Sequence, residues 1–448
     1  MRPQPVTRII HFRYMDTERP PVAEEEKKEG ILKGDKYIWG IYFILCFISI
    51  IEIYSATSTL TFKEQDYFAP TIRHCIFLLL GTTLVVAIHN IPIKYFKLIP
   101  IFLIPVSGLL LIYTMFFGKT INGAQRVIQL FGFTVQPSEL AKLGVITAVA
   151  FILARSQRPD GVSKDTFKNI LWVVTPACLL ILPENFSTAF LLGVVCFCMM
   201  IIGRIEWKKI ALLVGIAIVF LSIIFLVIPR MPEGIPGMDR AQTWINRMAH
   251  FTGEDGVPAY EEPTVDENYQ VHHARMAVAN GGVFGLFPGN SIERDFLPQA
   301  FSDFIYAIII EEMGYIGGIV VMLLYLWLLV RAGIIAKRCT RASPAFLIMG
   351  CTLIIVFQAI MHMAVSVGLM PVTGQPLPLI SRGGTSTLIT CVYFGIILSV
   401  SHYGVMPVTE KKEAEETEEA ENQEIEENTY YEGETPAAED IRTRDVFY

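Results

Sequence analysis

Three carboxylates lie in one short stretch of this chain, LPQAFSDFIYAIIIEEMG at 297–314. Asp303 stands where a polar loop becomes an apolar run, and Glu311 and Glu312 follow inside that run. Carboxylates are costly in hydrocarbon, so each of them needs a reason to be there. A carboxylate at the mouth of a helix can act as a general base and take a proton from a hydroxyl. The structural alternative is a helix cap formed by Asp303 or Ser302.

The two glutamates differ in position if the helix runs straight from Asp303. Glu311 would then lie about 12 Å deeper at 1.5 Å per residue and about 80° around the helix, whereas Glu312 would lie opposite Asp303. At least one of them must face the protein interior or water and pair with a cation. A buried ion pair between helices would explain Glu311 and Glu312 equally well as a role in chemistry.

A second polar group lies in QPSELAKL at 136–143. Pro137 suits the first turn of a helix, with the residue before it at the cap. Glu139 and Lys142 are three residues apart, so they can pair on one face of that helix. Lys142 has two further candidate partners, one of the two deeper glutamates or a lipid phosphate.

The elements that must position these side chains are membrane-spanning helices. Of the 448 residues, 52% are hydrophobic and only 18% are charged, against about 25% charged in an average soluble protein. The apolar residues form runs of about 20, the length of a helix that crosses a bilayer. We predict an all-α integral membrane protein with ten transmembrane helices, near residues 37–55, 74–91, 98–117, 137–154, 169–183, 188–203, 209–229, 303–330, 344–368 and 385–403.

The distribution of Lys and Arg predicts which ends face the cytoplasm. The N-terminal segment, 1–36, carries eight of them, and alternate connecting loops are richer in Lys and Arg than the loops between them. By the positive-inside rule both termini are cytoplasmic, and the large loop at 230–302 between the seventh and eighth helices lies outside. The ten helices form a membrane domain at 37–403, which leaves a cytoplasmic tail at 404–448.

The tail is strongly acidic. Residues 409–448 hold 15 Asp and Glu against 4 Lys and Arg, a net charge of −11 that leaves +4 on the rest of the chain. This composition is typical of a disordered segment. A tail that binds a partner is the alternative.

Two irregular segments are expected on the outer side. The loop at 230–302 carries aromatic and apolar residues, so we expect a folded cap with a short helix at 270–278 before its glycine turns. The segment PVTGQPLPLISRGGTS at 371–386 separates the last two helices with three prolines and several glycines. Irregular backbone near membrane depth persists only where protein or a water-filled cavity covers it, so we expect a rigid segment here.

Six arginines lie on the outer side in this topology. The planar guanidinium group suits phosphate, and outside the cytoplasm a phosphate-bearing membrane substrate would be a lipid-linked pyrophosphate. Contact with lipid headgroups is the alternative for each of them. The six are Arg126, Arg240, Arg247, Arg275, Arg294 and Arg382.

Five segments together make the chain resemble the SEDS family (shape, elongation, division and sporulation) over roughly residues 37–403. Their order and spacing and the ten spans fit the family. The segments are NGAQRVI at 122–128, QPSELAKL at 136–143, PENFST at 183–188, GNSIERDFLPQAFSDFIYAIIIEEMG at 289–314 and PVTGQPLPLISRGGTS at 371–386.

The resemblance implies a peptidoglycan glycosyltransferase that polymerises lipid II in the bacterial cytoplasmic membrane, at the division septum, and releases undecaprenyl pyrophosphate. It implies a class B penicillin-binding protein as partner, with other division proteins and no nucleic acid. A divalent cation, Mg²⁺ or Mn²⁺, is the one candidate cofactor. Asp303 matches the acidic residue that the family needs for activity, and we take it as the catalytic base. The candidate substrate-binding residues are Glu139, Lys142, Arg126, Arg240, Arg275, Arg382 and Glu311.

The chain departs from the family pattern at three places. Val127 stands where Trp is usual, Phe301 where His is common, and Glu184-Asn185 where Pro-Asp is frequent. Two other functions would use the same cavity and charges: a transporter that flips lipid II, and a scaffold that only recruits the transpeptidase. We find no convincing internal repeat, which weakly disfavours the transporter.

Overall fold

The protein is helical in this computed structural model, which describes residues 32–56, 68–121, 124–130, 133–158, 161–227, 266–297 and 300–405. A helix lies at each of the ten predicted places, and α8 lies in the outer loop around the predicted 270–278. The helices are α1 (Lys36–Ala56), α2 (Ala69–His89), α3 (Leu98–Phe117), α4 (Pro137–Ser156), α5 (Thr166–Ile181), α6 (Phe186–Ile202), α7 (Trp207–Val227), α8 (Asp266–Gly281), α9 (Ile305–Arg338), α10 (Ala342–Ser366) and α11 (Thr385–Tyr403).

Seven helices in the described part of the chain are long and apolar enough to cross a membrane: α1, α2, α4, α9, α10, α11 and the span Ile93–Phe117, which joins a 3₁₀ turn to α3. Helices α5 and α6 are apolar but shorter. A helical, multi-span membrane protein is therefore confirmed, and ten crossings remain a prediction. The acidic tail and the segment before residue 32 lie outside the described residues.

A small antiparallel sheet connects α3 and α4, where no strand was predicted. Its strands are β1 (Lys119–Ile121), β2 (Ala124–Leu130) and β3 (Phe133–Val135), and β2 pairs with both of the others. Each strand contains β-branched residues, which favour extended backbone. A second pair joins β4 (Gln157–Arg158) to β5 (Gly161–Val162).

Helices α4 and α10 form the centre of the bundle. In their most apolar stretches 78% and 83% of the residues are buried, whereas the figure for Ile93–Phe117 is 17%. The start of α4 follows the predicted pattern, with Pro137 in the first turn and Gln136 at the N-cap. Polar side chains on α4 and α10 therefore point into protein and not into lipid.

An ion pair fixes the ends of α1 and α9 that lie on the Lys- and Arg-rich side. The Arg331 Nε and Nη2 atoms both donate to Asp35 Oδ2, at 2.8 and 2.6 Å. The guanidinium carbon also lies 4.5 Å from the centre of the Tyr37 ring. The backbone amide of Asp35 donates to the Ser401 hydroxyl at 2.9 Å, so α11 joins the same anchor. Helices α1 and α9 consequently run antiparallel.

Helix α9 is broken at Gly314. Its backbone angles, φ 68° and ψ −176°, lie in a region that is essentially restricted to glycine. The Tyr306 hydroxyl donates to the Gly318 carbonyl at 3.0 Å, although these residues would be about 18 Å apart along a straight helix. The first arm of α9 (305–313) and its second arm (315–338) therefore meet at a sharp angle.

The loop after α8 occupies the break. Two amides of the loop at 282–287 donate to the carbonyls of Glu311 and Glu312, at 2.9 and 2.8 Å, and the Tyr315 amide donates to the Gly282 carbonyl at 2.9 Å. These bonds pair the backbone groups that lose their helical partners at the break. Such pairing is needed because hydrocarbon offers no hydrogen-bond partner. The predicted glycine turns are confirmed here, since Gly282 has a φ of 52°.

The break reverses the predicted depth of the carboxylates. The Ser55 hydroxyl, at the C-terminal end of α1, donates to Glu312. Ser49 lies about 9 Å from Ser55 toward the start of α1, and its hydroxyl donates to the Ile380 carbonyl at 3.0 Å. Ser381, which follows Ile380, donates to the Ser302 carbonyl next to Asp303. Asp303 is therefore recessed from that end of α1, and Glu312 lies close to it. The prediction of deeper glutamates was wrong because it assumed a straight helix.

Replacing Gly314 by alanine should destabilise the fold by about 3 kcal/mol, since strained backbone and a forced contact each cost about 1–3 kcal/mol. A Cβ at this position would collide with the Val283 carbonyl. Thermal melting in detergent measures the effect. Gly333→Ala is the matched control because it lies in the same helix with open space around the added Cβ. Equal melting temperatures for both variants would contradict the tight contact.

Candidate functional site

Asp303 lies in a turn just before α9 and is half-buried. The helix begins at Ile305 with Phe304 at its N-cap, and Phe304 makes no side-chain capping bond. Ser302 and Asp303 therefore lie before the N-cap position that the sequence analysis gave to one of them. The Ser302 hydroxyl donates to Asp303 Oδ1 at 3.0 Å.

The Pro- and Gly-rich segment at 371–384 is held by side chains from three helices. From α10, His362 Nδ1–H donates to the Gln375 carbonyl at 2.7 Å, and Gln358 Nε2 donates to the Pro376 carbonyl at 2.9 Å. Tyr325 of α9 donates to the Pro378 carbonyl at 2.6 Å. The Ser49 hydroxyl of α1 donates to the Ile380 carbonyl, two residues later in the segment. These bonds replace a helix ladder, so the segment keeps one shape inside the bundle, as predicted.

The same segment fixes the position of Asp303. The Ser381 hydroxyl donates to the Ser302 carbonyl at 2.8 Å, and the Arg382 amide donates to the Phe301 carbonyl at 3.0 Å. The Arg382 guanidinium lies 5.3 Å from the centre of the Phe301 ring. A carboxylate and a guanidinium are thus carried by two backbone segments that are bonded to each other.

His74 of α2 contributes to this arrangement through a hydrogen bond with Ser49. Its Nε2 atom lies 2.7 Å from the Ser49 hydroxyl oxygen. Because that hydroxyl donates to the Ile380 carbonyl, the imidazole N–H must be the donor to Ser49. The ring is 2% exposed. Helices α1 and α2 therefore reach the Pro- and Gly-rich segment through one chain of hydrogen bonds.

Glu139 and Lys142 form a buried ion pair in the centre of the bundle, as predicted. Lys142 Nζ lies 2.8 Å from Glu139 Oε1, and the lysine side chain is fully buried. Its second bond, at 2.9 Å, is to Gln358 Oε1 of α10. Of the open alternatives for Lys142, the pairing with one of the two α9 glutamates is not found, because those carboxylates bind Ser55, Ser291 and Arg294.

A polar path continues from this pair. Gln358 also binds the Pro376 carbonyl, and the neighbouring Gln375 donates to the Thr188 hydroxyl at 2.7 Å. The segment at 371–384 consequently joins the two groups. Its first half is bonded to the Glu139–Lys142 pair through Gln358, and its second half is bonded to the Asp303 turn. Polar side chains of both charge signs are therefore placed inside the bundle, where a charged group marks a candidate functional site.

Glu311 and Glu312 belong to a second polar cluster with Ser55, Ser291 and Arg294, called the outer cluster because it lies at the end predicted to be outside. Glu311 accepts from the Ser291 hydroxyl and from the amides of residues 292 and 293, the latter two at 3.2 and 3.3 Å. Glu312 accepts from Ser55 and lies 3.7 Å from Arg294 Nη1. Both glutamates are completely buried. Glu311 therefore holds the segment at 291–293, and its predicted contact with substrate stays a prediction.

The other predicted arginines are dispersed. Arg126 lies in β2, and Arg240 and Arg247 lie outside the described residues. Arg275 is exposed on α8, and its guanidinium group lies beside Gly368, just after the end of α10. Arg294 belongs to the outer cluster. Among the candidates in the described part of the chain, Arg382 contacts the Asp303 turn through Phe301.

The departures from the family pattern have local explanations. Phe301 presents its ring to Arg382, where the family commonly has an imidazole. Asn185 accepts from the Thr188 amide at 3.1 Å and so caps α6. Glu184 is buried and accepts from the Thr114 hydroxyl. Val127 lies in β2 opposite Lys119.

Glu52, His74 and Gln358 were not among the residues predicted from the sequence. Glu52 is completely buried in α1, and its carboxylate has no hydrogen-bond partner among the described residues. A lone carboxylate inside the first apolar run was a signal for it, since such a residue marks a functional site by default. Gln358 carried no comparable signal because a neutral amide is less costly in an apolar run.

A metal site built from side chains would need several ligands in one group. Within the described ranges, no group of three or more His, Cys, Asp or Glu side chains is arranged to hold a metal ion. The divalent cation therefore stays a prediction.

Comparison with known proteins decides the family. The model of the FtsW/RodA/SpoVE family, described as cell cycle protein, matches residues 35–405. This chain belongs to the FtsW/RodA/SpoVE family. The resemblance drawn from five sequence segments is thereby confirmed, because this family is the one that the SEDS motifs define.

Relatives in the FtsW/RodA/SpoVE family cover nearly the whole membrane domain. The probable peptidoglycan glycosyltransferase FtsW of Coxiella burnetii is 31% identical over 378 residues, which is 81% of this chain and 96% of that protein. The protein of the same name from Legionella pneumophila is 29% identical over 420 residues, 88% of this chain and 100% of that one.

Solved structures share the fold. A chain from a peptidoglycan synthase complex that coordinates polymerization and crosslinking is 24% identical with a TM-score of 0.64, covering 82% of this chain and 97% of its own. The rod shape determining protein RodA of Thermus thermophilus is 21% identical with a TM-score of 0.57, covering 84% and 98%. The FtsW/RodA/SpoVE architecture is therefore the one described above.

Proposed function

We propose that this chain is a peptidoglycan glycosyltransferase that polymerises lipid II during septal wall synthesis. The observation that carries the proposal is the bonded contact between the Asp303 turn and the segment of Arg382. It joins the backbone segment of a candidate base to the backbone segment of a candidate cation. Relatives named as probable peptidoglycan glycosyltransferases support the reaction class.

The reaction joins two lipid-linked disaccharides. The 4-hydroxyl of the acceptor's N-acetylglucosamine attacks the anomeric carbon of the donor's N-acetylmuramic acid, and the bond from that carbon to undecaprenyl pyrophosphate breaks with inversion. Asp303 takes the proton of the hydroxyl, a role worth roughly a hundredfold to ten-thousandfold in rate. The leaving pyrophosphate carries the electron pair away, and Arg382 stabilises its charge.

Glu139 and Lys142 bind polar parts of the substrate in this proposal. They lie at the far end of the segment that fixes Asp303, so they suit the sugar or peptide of one substrate better than its reacting atoms. The polyprenyl tails would lie in the apolar surface between helices. A divalent cation bound to pyrophosphate would enter with the substrate.

The proposed topology has ten crossings and both termini in the cytoplasm. The anchor of Asp35 and Arg331 and the Lys/Arg-rich turns lie at the same end of α1, α9 and α11, in agreement with the positive-inside rule. The proposed partner is a class B penicillin-binding protein, a single-span transpeptidase, together with other division proteins. The similarity to a chain of a peptidoglycan synthase complex supports such an assembly.

One experiment separates this enzyme from a lipid II transporter and from a scaffold. The purified protein is incubated with its transpeptidase partner and lipid II, and the products are separated on a gel. Long glycan strands support the proposal. Movement of lipid II across vesicles without strands would indicate a transporter, and neither result would indicate a scaffold.

The hydroxyl of Ser381 should matter for rate more than for binding. Ser381→Ala removes the bond to the Ser302 carbonyl, so Asp303 loses its fixed position, and we expect kcat to fall about tenfold with little change in KM. Ser381→Thr keeps the hydroxyl and should restore most of the rate. The matched control is Ser399→Ala, which removes a bond to the Ile91 carbonyl from a buried serine of α11. An equal loss in both alanine variants would indicate a general packing effect.

A further inference from the structure

An apolar groove lies at the Lys- and Arg-rich end of the bundle, where α6 ends, α9 ends and α10 begins. It has a volume of about 70 Å³, and its lining surface is apolar. Small residues leave this space, since Gly333 and Ala336 of α9 face Ala345 of α10, with Phe346 and Ile202 beside them. The remaining space has room for several methylene groups.

The groove is a local opening between otherwise close helices. A Cβ added to Gly333 would meet no atom within 4 Å. By contrast, a Cβ added to Gly350, further along α10, would lie 2.8 Å from the Ile146 side chain. Helix α10 is therefore closely packed at Gly350, whereas open space remains beside Gly333 near the end of α9.

One cation lines the groove, and two more lie within four residues of it along the chain. Lys337 lines it and is exposed, so its aliphatic stem can lie along apolar surface while its charge reaches the interface. Arg338 and Arg341 are exposed in the same turn. No Asp or Glu occurs between residues 313 and 409. The nearby α6–α7 turn does carry Glu206, but this side chain lies 3.2 Å from Lys209.

We infer that this groove binds an anionic phospholipid of the membrane leaflet on that side. An acyl chain would fill the apolar space, and the phosphate would lie against Lys337 and Arg341. The charge of the rim selects the ligand, because basic pockets between membrane helices favour anionic headgroups, with about 1 kcal/mol for each Lys or Arg near the surface. The site lies at the opposite end of the bundle from the proposed reaction, and it does not depend on that reaction.

The test measures phosphatidylglycerol bound to the delipidated full-length protein by native mass spectrometry, with phosphatidylcholine as the neutral competitor. Gly333→Leu keeps every charge but fills the groove, and Lys337→Gln with Arg341→Gln keeps the groove but removes two charges. We expect each to weaken phosphatidylglycerol binding, the charge variant by about thirtyfold, as two such cations predict. Binding of phosphatidylcholine should change little in the charge variant.

Matched controls exist for both variants. Gly40→Leu also fills open space, near the same end of α1, and Lys94→Gln with Lys97→Gln removes two exposed cations from another turn. Neither should change binding. If all four variants weaken binding equally, or if phosphatidylcholine binds as tightly as phosphatidylglycerol, the inference is wrong. Should Gly333→Leu melt far below the parent protein, the charge variant and its control decide the question alone.

Discussion

Asp303→Asn should abolish glycan polymerisation while the protein stays folded. The amide matches the carboxylate in shape and can still accept the Ser302 hydroxyl at Oδ1, where that bond is now 3.0 Å. It cannot take a proton from the attacking sugar hydroxyl. We expect the rate to fall by about a thousandfold, within the range typical of a lost general base. The measurement is the amount of long glycan made from lipid II by the purified protein with its partner.

A neighbouring carboxylate supplies the control for this prediction. Asp295 has a side chain that is 54% exposed and lies 3.6 Å from Arg294, outside the proposed site. Asp295→Asn should retain most of the activity. Melting temperatures in detergent should agree among the parent protein and both variants. Substantial polymer from well-folded Asp303→Asn would overturn the role of Asp303 as base, although another residue could still perform the reaction.

The positions of the helices follow directly from the sequence. Runs of about 20 apolar residues have one stable form in hydrocarbon, because a helix pairs all of its own backbone groups. Helix α3 accordingly spans Leu98–Phe117, as predicted, and α4 begins at Pro137. The small sheet between them was missed, because its strands are at most seven residues long and carry no long alternating pattern.

The break in α9 could not be read from the sequence. The stretch around Glu312 and Gly314 is apolar on both sides and resembles one continuous helix. The break is stabilised by the loop at 282–287, which lies about thirty residues earlier and supplies the missing backbone partners. Sequence periodicity reports local structure only, so a tertiary contact of this kind reversed the relative depth of Asp303 and the glutamates.

The candidate site was predictable in its residue types and not in its pairings. Asp303 and Lys142 were identifiable because charge is rare inside apolar runs. The partner of Lys142, Gln358, lies 216 residues away and has no charge. Its second bond to the Pro376 carbonyl shows why an amide stands there: it satisfies a cation and an irregular backbone segment at once.

Lys142→Met should cause the largest loss of stability among these variants. The change leaves Glu139 buried without its cation, and breaking a buried pair on one side typically costs about 3–5 kcal/mol. The lysine is fully buried, and the glutamate side chain is 4% exposed, so water cannot replace the missing charge. Thermal melting in detergent measures the effect. A melting temperature unchanged by this single substitution would contradict the buried pair.

The double variant Glu139→Gln with Lys142→Met separates stability from function. Both charges are removed, so most of the stability should return, as it often does when a buried pair is replaced as a whole. If the pair only held helices together, polymerisation would return with the fold. We expect it to stay at least about tenfold below the parent rate, because the proposed role of the pair is to bind substrate. The matched pair Asp35→Asn with Arg331→Met, at the Lys- and Arg-rich end of the bundle, should alter stability without a comparable change in the activity of the folded protein. Activity fully restored in the first double variant would assign Glu139 and Lys142 to structure alone.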